Sequence, residues 1–296
     1  MIISLLGIMV LSAGGLGLIQ LDITYHLYYA LIERLPFSWP GAPTLHLKKY
    51  SVLRDKIEIK GIQRNLSGIT YNWDTDSLFA VIDEPPEILE LSCQGVVLRR
   101  IRTRGLEDLE GICYLGQNRF AVVEERRRNV VFFKVHSTAV IVEGADLKMF
   151  PMPGEYDNHG FEGIAGDIDS GALYITNEHS PRRIIKISGI DFETINFKDV
   201  RVADLWETEP SNLGLRDFAG LHLDAATGHL LVLSDESQLL AEITTRGIRV
   251  GTLDLERGDT GLSADIPKPE GVTMDRKGTI FIASEPNLLY TFEIRP

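Results

Sequence analysis

The chain has 296 residues, 44% hydrophobic and 24% charged, which excludes wholesale disorder and leaves ample length to bury a core. Its formal net charge is −12, and beyond position 56 there are 25 basic against 39 acidic residues. That balance argues against nucleic acid as a partner and for cations or cationic ligands, or simply for solubility.

Met1 to Leu21 contains no charged side chain and is rich in Ile, Leu, Val and Gly. As a helix it spans about 30 Å, the thickness of a bilayer's hydrocarbon core. Apolar residues continue to Ile32, so residues 1–32 read as an uncleaved N-terminal membrane anchor helix. A cleaved signal peptide, with Ala13-Gly14-Gly15 as the cleavage site, is the rival reading, but it lacks a basic leading segment. Lys48, Lys49 and Arg54, taken alone, argue for the opposite topology by the positive-inside rule, so charge does not set the orientation. Pro36, Pro40, Gly41 and Pro43 break any helix, making residues 33–50 a linker. From residue 51 to 296 the periodicity is that of strands.

Five times the same pattern returns: a residue followed by Gly and a branched apolar residue, then a turn, an apolar run and a closing Glu. Ser67-Gly68-Ile69 leads to Glu84, Glu110-Gly111-Ile112 to Glu125, and Glu162-Gly163-Ile164 to Glu178. Ala219-Gly220-Leu221 leads to Glu236, and Glu270-Gly271-Val272 to Glu285. Units of this length at regular spacing mark a repeat architecture. The runs before each closing Glu, such as Leu78 to Ile82 and Leu230 to Leu233, are apolar on both faces, which implies strands covered on both sides. Asp74-Thr75-Asp76, Gly116-Gln117-Asn118, Asp169-Ser170-Gly171 and their counterparts supply tight-turn chemistry. Four strands in about 50 residues describe a β-propeller blade. The fifth unit has room for only one strand after Glu285, and Ser51 to Lys60 has no blade of its own. The expectation is an all-β, five-bladed propeller of four-stranded antiparallel blades whose ring is closed by the N-terminal strand.

Leu66-Ser67-Gly68-Ile69-Thr70, Asp108-Leu109-Glu110-Gly111-Ile112, Gly160 to Ala165, Leu231 to Ser237, Ile266 to Val272 and Ser284-Glu285-Pro286-Asn287 together resemble the SdiA-regulated, YjiK-like family of bacterial proteins. The resemblance runs from about residue 57 to the C-terminus. It implies a membrane-anchored five-bladed propeller on the periplasmic or extracytoplasmic side of the cytoplasmic membrane, with calcium in or near the central cavity. The family is similar, distantly, to calcium-dependent lactonase, arylesterase and phytase propellers, and no activity is established for it. Glu84 departs from the family pattern, which has a basic residue there.

The first strand of each blade lines the channel, so the residue before each Gly faces the axis. Three of these are Glu110, Glu162 and Glu270, and Asp217 lies where a fourth carboxylate offsets the neutral Ala219. Converging carboxylates raise one another's pKa unless a cation is present, and calcium accepts six to eight irregular oxygen ligands. Glu110, Glu162, Asp217 and Glu270 are therefore candidate calcium ligands; the alternative is that they accept inner-strand amides and pin blade to blade. The closing glutamates read as structural, capping turn amides or pairing with Arg126, Arg182 or Arg183. The runs Arg99 to Arg104 and Arg126 to Arg128 read as solvated edges and turns. Of His159, His179 and His222, beside these motifs, His159 is the candidate catalytic base for a hydrolase. No nucleophile elbow, phosphate-binding loop or zinc motif is present. Cys113 reads as a free, buried small hydrophobe, and the lone pair Cys93 and Cys113 makes no disulfide framework. Two functions remain open: a calcium-stabilised propeller that binds a small molecule or a partner protein at the cell envelope, or a calcium-dependent hydrolase of a lactone, ester or phosphoester.

Overall fold

The computed structural model describes residues 43–295 apart from 145–146, 153–159, 179–181, 198, 207–212 and 259. The anchor expected over residues 1–32 lies outside the described residues, and among those described no helix is long and apolar enough to cross a membrane.

After a short 3-10 turn, Leu47–Lys49, comes β1 (Tyr50–Glu58). Blade 1 is β2 (Leu66–Asn72), β3 (Ser77–Ile82), β4 (Glu87–Ser92) and β5 (Val97–Arg104). Blade 2 is β6 (Leu109–Tyr114), β7 (Arg119–Glu124) and β8 (Asn129–Lys134); β9 (Ile141–Glu143) intervenes before its outer strand β10 (Lys148–Pro151). Blade 3 is β11 (Phe161–Asp167), β12 (Ala172–Asn177), β13 (Arg183–Ser188) and β14 (Arg201–Asp204). Blade 4 is β15 (Gly220–Asp224), β16 (His229–Ser234), β17 (Leu239–Thr244) and β18 (Arg249–Asp254). Blade 5 is β19 (Pro269–Met274), β20 (Ile280–Ser284) and β21 (Leu288–Ile294), completed by β1. The second strands β3, β7, β12, β16 and β20 are buried along their whole length, as their continuous apolar runs require.

Ring closure follows the expected route. β1 pairs antiparallel with β21, from Tyr50 opposite Ile294 to Glu58 opposite Leu288. Asn287 locks the join: its side-chain amide donates to the Ile62 carbonyl at 2.8 Å, and its own carbonyl accepts from the Ile59 amide at 2.9 Å. One strand was not legible as a blade element. β9 leaves blade 2 and pairs parallel with β5, occupying what would be an open edge, and Glu143 meets Arg104 at 2.7 Å.

The core is five separate clusters, each between two adjacent blades, rather than one central mass. The apolar residue after each repeat Gly, namely Ile69, Ile112, Ile164, Leu221 and Val272, belongs to a different one of the five. Burying such a side chain contributes about 1.5–3 kcal/mol. The glycines themselves form a ring of backbone contacts. A Cβ on Gly163 would stand 2.5 Å from the Leu221 nitrogen of the next blade, and Gly68 meets Glu110 and Gly111, Gly111 meets Glu162, Gly220 meets Glu270, and Gly271 meets Ser67 and Gly68. Each blade thus touches its neighbour through a missing side chain.

The arginine run 126–128 is less solvated than its sequence suggests. Arg128 is buried with its guanidinium 4.3 Å from the centre of the Phe161 ring. Cys113 is free and sits in the cluster between blades 2 and 3, where burial pushes its thiol up to about 12; Cys93 is also free.

Candidate functional site

At the start of the inner strands the repeat brings its variable position to the axis. Ser67, Glu110, Glu162, Ala219 and Glu270 all line one cavity of about 220 Å³. Only three of the five carry charge, because Ser67 and Ala219 break the pattern. The Gly that follows holds these side chains in place by fixing the separation between inner strands.

A second tier of acids surrounds the first. The residue immediately after each second strand is acidic in every blade: Asp83, Glu125, Glu178, Asp235 and Glu285. Four of the five backbones do the same job, donating to the connection that leads into their own inner strand: Asp83 to Asn65, Glu125 to Asp108, Glu178 to Gly160 and Glu285 to Lys268. The register by closing Glu is therefore corrected by one residue in blades 1 and 4, where Asp83 and Asp235, not Glu84 and Glu236, hold the equivalent place. Asp83, Glu178, Asp235 and Glu285 line the cavity. Glu125 turns aside to accept the Gly160 amide at 3.2 Å. The signal was present in the sequence as Gly-to-acid distances of 14 or 15 residues in all five units, once Asp counts with Glu.

Asp217 is not among the residues lining this cavity. Its carboxylate accepts the Ser234 hydroxyl, the Asp235 amide at 3.0 Å and the Glu236 amide at 3.1 Å, so it is spent on the turn that carries Asp235. Burial still raises it to about 6. His159 and His179 lie outside the described residues. His222 lies farther along the channel, in a narrow section of about 70 Å³ lined by Ile69, Ile112, Ile164, Leu221 and Val272, where burial pushes it down to about 4. It is neutral at physiological pH.

Electrostatics in the cavity are those of crowded carboxyls. Glu110 is pushed well above the usual carboxylate range, first by burial and then by Glu270 and Asp83. Glu162 is raised likewise, by burial and then by Glu110, Glu178 and Glu270. Glu270 rises to about 7 through burial, with Lys268 opposing and Glu285 and Asp235 adding. Among the described lining residues Lys268 is the one cation, 2.5 Å from Glu285 and 3.4 Å from Glu270. Towards blade 1, Asp83, Asp108 and Glu110 offer oxygens that all lie within 4.8 Å of one another. Burial and contact with Asp108 lift Asp83 to about 6, against the pull of Arg126, which pairs with Asp108 at 3.2 Å. Three hard oxygen donors at this separation suit part of a calcium shell, which takes six to eight oxygens at about 2.4 Å; of the four residues expected as ligands, only Glu110 belongs to this group among the described residues.

Solved structures similar to this chain are distant in sequence. A luciferin-regenerating enzyme is 13% identical, with 82% of this chain and 94% of that one covered and a TM-score of 0.51. A protein of unknown function from Bacteroides thetaiotaomicron is 12% identical, with a TM-score of 0.51 over 79% of this chain and 56% of that one. A gluconolactonase from Xanthomonas campestris is 12% identical, with 88% and 99% covered and a TM-score of 0.48. At such identities the first two speak for the fold alone, and nothing is drawn from the third. A sequence model of the SdiA-regulated family matches residues 43–293, which takes in all five blades and both tiers of acids. The chain belongs to the SdiA-regulated family.

Proposed function

We propose that this propeller holds a divalent cation, calcium by its ligand chemistry, in the acidic cavity at the start of its inner strands, and uses the open mouth above it to bind a ligand or partner. The observation that carries the reading is the convergence of Glu110, Glu162 and Glu270 on one cavity with a single described cation, Lys268, beside them. Without a counter-charge, burial first and then mutual repulsion favour the protonated forms of these groups. Glu110, Glu162 and Glu270 would hold the ion from the cavity wall, with Asp83 and Asp108 as further oxygen donors beside Glu110. When bound, the ion neutralises this charge and offers a Lewis-acidic centre at the mouth. The protein's own contribution is to hold the inner strands at fixed separation through the glycine ring. In this reading the uncharged stretch Met1 to Leu21 anchors the propeller on the outer side of the cytoplasmic membrane; fractionation and protease access of the full chain in intact cells test that placement.

The test of the cation is metal analysis of chelator-treated full-length protein before and after calcium reloading, with thermal melting in parallel. Calcium at about a hundred times its dissociation constant should stabilise by about 2.7 kcal/mol, or about 5–10 °C in melting temperature. Glu162→Gln should reduce that gain. Retention of no divalent ion by the wild type removes the reading. A screen of lactone and aryl-ester substrates then separates binder from hydrolase, since a binder gives the same background rate with wild type and Glu162→Gln.

A further inference from the structure

The opposite mouth of the channel opens into a larger cavity, of about 580 Å³, which lies in the size range of sites for small organic ligands. Tyr71 and Trp73 of blade 1, Leu223 of blade 4 and Met274 of blade 5 form apolar walls, and the narrow section with His222 continues beneath them. The rim is built from the hairpins that join first and second strands in blades 3, 4 and 5. Its carboxylates point back into their own turns. Asp167 accepts the Ser170 amide at 3.2 Å and its hydroxyl at 2.5 Å. Asp224 accepts the Thr227 amide at 2.8 Å and its hydroxyl at 2.6 Å, and Asp275 accepts the Lys277 and Thr279 amides, each at 2.8 Å. Asp169, the remaining acid, is exposed on blade 3, two blades away from the cations of the rim.

Those cations are Arg276 and Lys277, both exposed. The Arg276 guanidinium lies over Trp73, 6.0 Å from its ring centre. No carboxylate among the described residues stands within ion-pair distance of either. In a protein of net charge −12, with its other mouth crowded by acids, two cations left without a carboxylate beside an aromatic wall call for an anionic group from outside. A guanidinium resting on an indole keeps its donor edge free for a two-pronged contact with a carboxylate or a phosphate.

We propose that this second cavity binds an amphipathic anion, with its ring or acyl body against Trp73, Tyr71 and Met274 and its carboxylate, sulfonate or phosphate head on Arg276 and Lys277. The site is separate from the acidic cavity and does not depend on a cation there. The chain also enters the propeller at this rim. Leu45 lines the cavity, and buried Glu242 holds it in place, accepting the Thr44 hydroxyl at 2.7 Å and the Leu45 amide at 3.0 Å. Thr44 and Leu45 therefore stand at this rim, and two sources supply the same chemistry: a soluble amphipathic anion or an anionic lipid.

The experiment is calorimetric titration of the full-length chain, held in phosphatidylcholine nanodiscs, with 2-naphthoate and with its charge-reversed counterpart 2-naphthylmethylammonium. Naphthoate should bind saturably at one site and at least about tenfold more tightly than the ammonium. The exposed double substitution Arg276→Gln/Lys277→Gln should weaken naphthoate by about tenfold or more while melting temperature holds. Discs carrying phosphatidylglycerol identify the source: competition that vanishes in the double variant assigns a lipid headgroup, and unchanged affinity assigns a soluble anion. Absence of saturable binding, tighter binding of the ammonium, or a double variant that binds naphthoate like the wild type overturns the proposal.

Discussion

Gly163 has no room for a side chain, because its Cβ would stand 2.5 Å from the Leu221 nitrogen and 2.8 Å from the Gly220 carbonyl carbon. Glu162, beside it, is under no such constraint and is held only by what faces it across the cavity. The two neighbours accordingly predict opposite signs. Gly163→Ala forces two blades apart and should lower stability by about 3 kcal/mol in denaturant melts. Glu162→Gln removes a buried carboxyl that folding without a cation must either protonate or leave repelling its neighbours, and in chelator-treated protein it should raise stability by about 1 kcal/mol, losing that advantage once calcium is added. Equal losses for both substitutions would show that the Glu is structural. The sequence made this division visible, since all five units keep Gly and only three keep Glu. It did not reveal that Asp217 is occupied by Ser234, Asp235 and Glu236, because a carboxylate two residues from the axial position looks the same whether it faces a channel or a turn.

Elements carry the next constraint. The fifth blade is stitched from both ends of the propeller, so its stability depends on contacts between residues more than two hundred positions apart. Asn287 makes two of these, to Ile59 and Ile62. Asn287→Ala takes from the Ile62 carbonyl its side-chain donor and should cost about 2 kcal/mol. Hydrogen exchange should quicken in β1 and β21 before it quickens in β16 or β17, and uniform protection across the blades would contradict a closure held at this point. The closing strand was readable because a short fifth unit and a surplus N-terminal strand make one arithmetic. The excursion of β9 onto blade 1 was not, since three residues of parallel pairing leave no periodicity.

For the whole molecule, the two tiers of acids make stability depend on pH and on cations together. Glu270 has an ordinary value of 4.5 and a folded value of about 7, so between these the native state holds a proton that the unfolded chain has lost. Stability of the cation-free protein therefore falls as pH rises from about 4.5 to about 7, and is regained on acidification through that window. Asp83, raised from 3.8 to about 6, acts in the same direction at lower pH. Calcium requires the deprotonated groups, so its stabilising effect should grow over the same interval. Melting curves at about pH 5 and about pH 7.5, with and without calcium, check both slopes. A calcium effect independent of pH would place the ion elsewhere.

Local chemistry written along the chain determined the blade count, the strand that closes the ring and the three glutamates before the repeat glycines. Turn residues, doubly buried strands and a Gly at every point of blade contact are each set within a few residues. Which further acids join those three glutamates was decided by the tertiary structure. Asp83, Glu178, Asp235 and Glu285 come from different blades and reach one cavity only because the ring closes, while Asp217 is turned away by a hydroxyl and two amides. The second cavity arises in the same way, since Trp73 meets Arg276 only where the last blade returns beside the first.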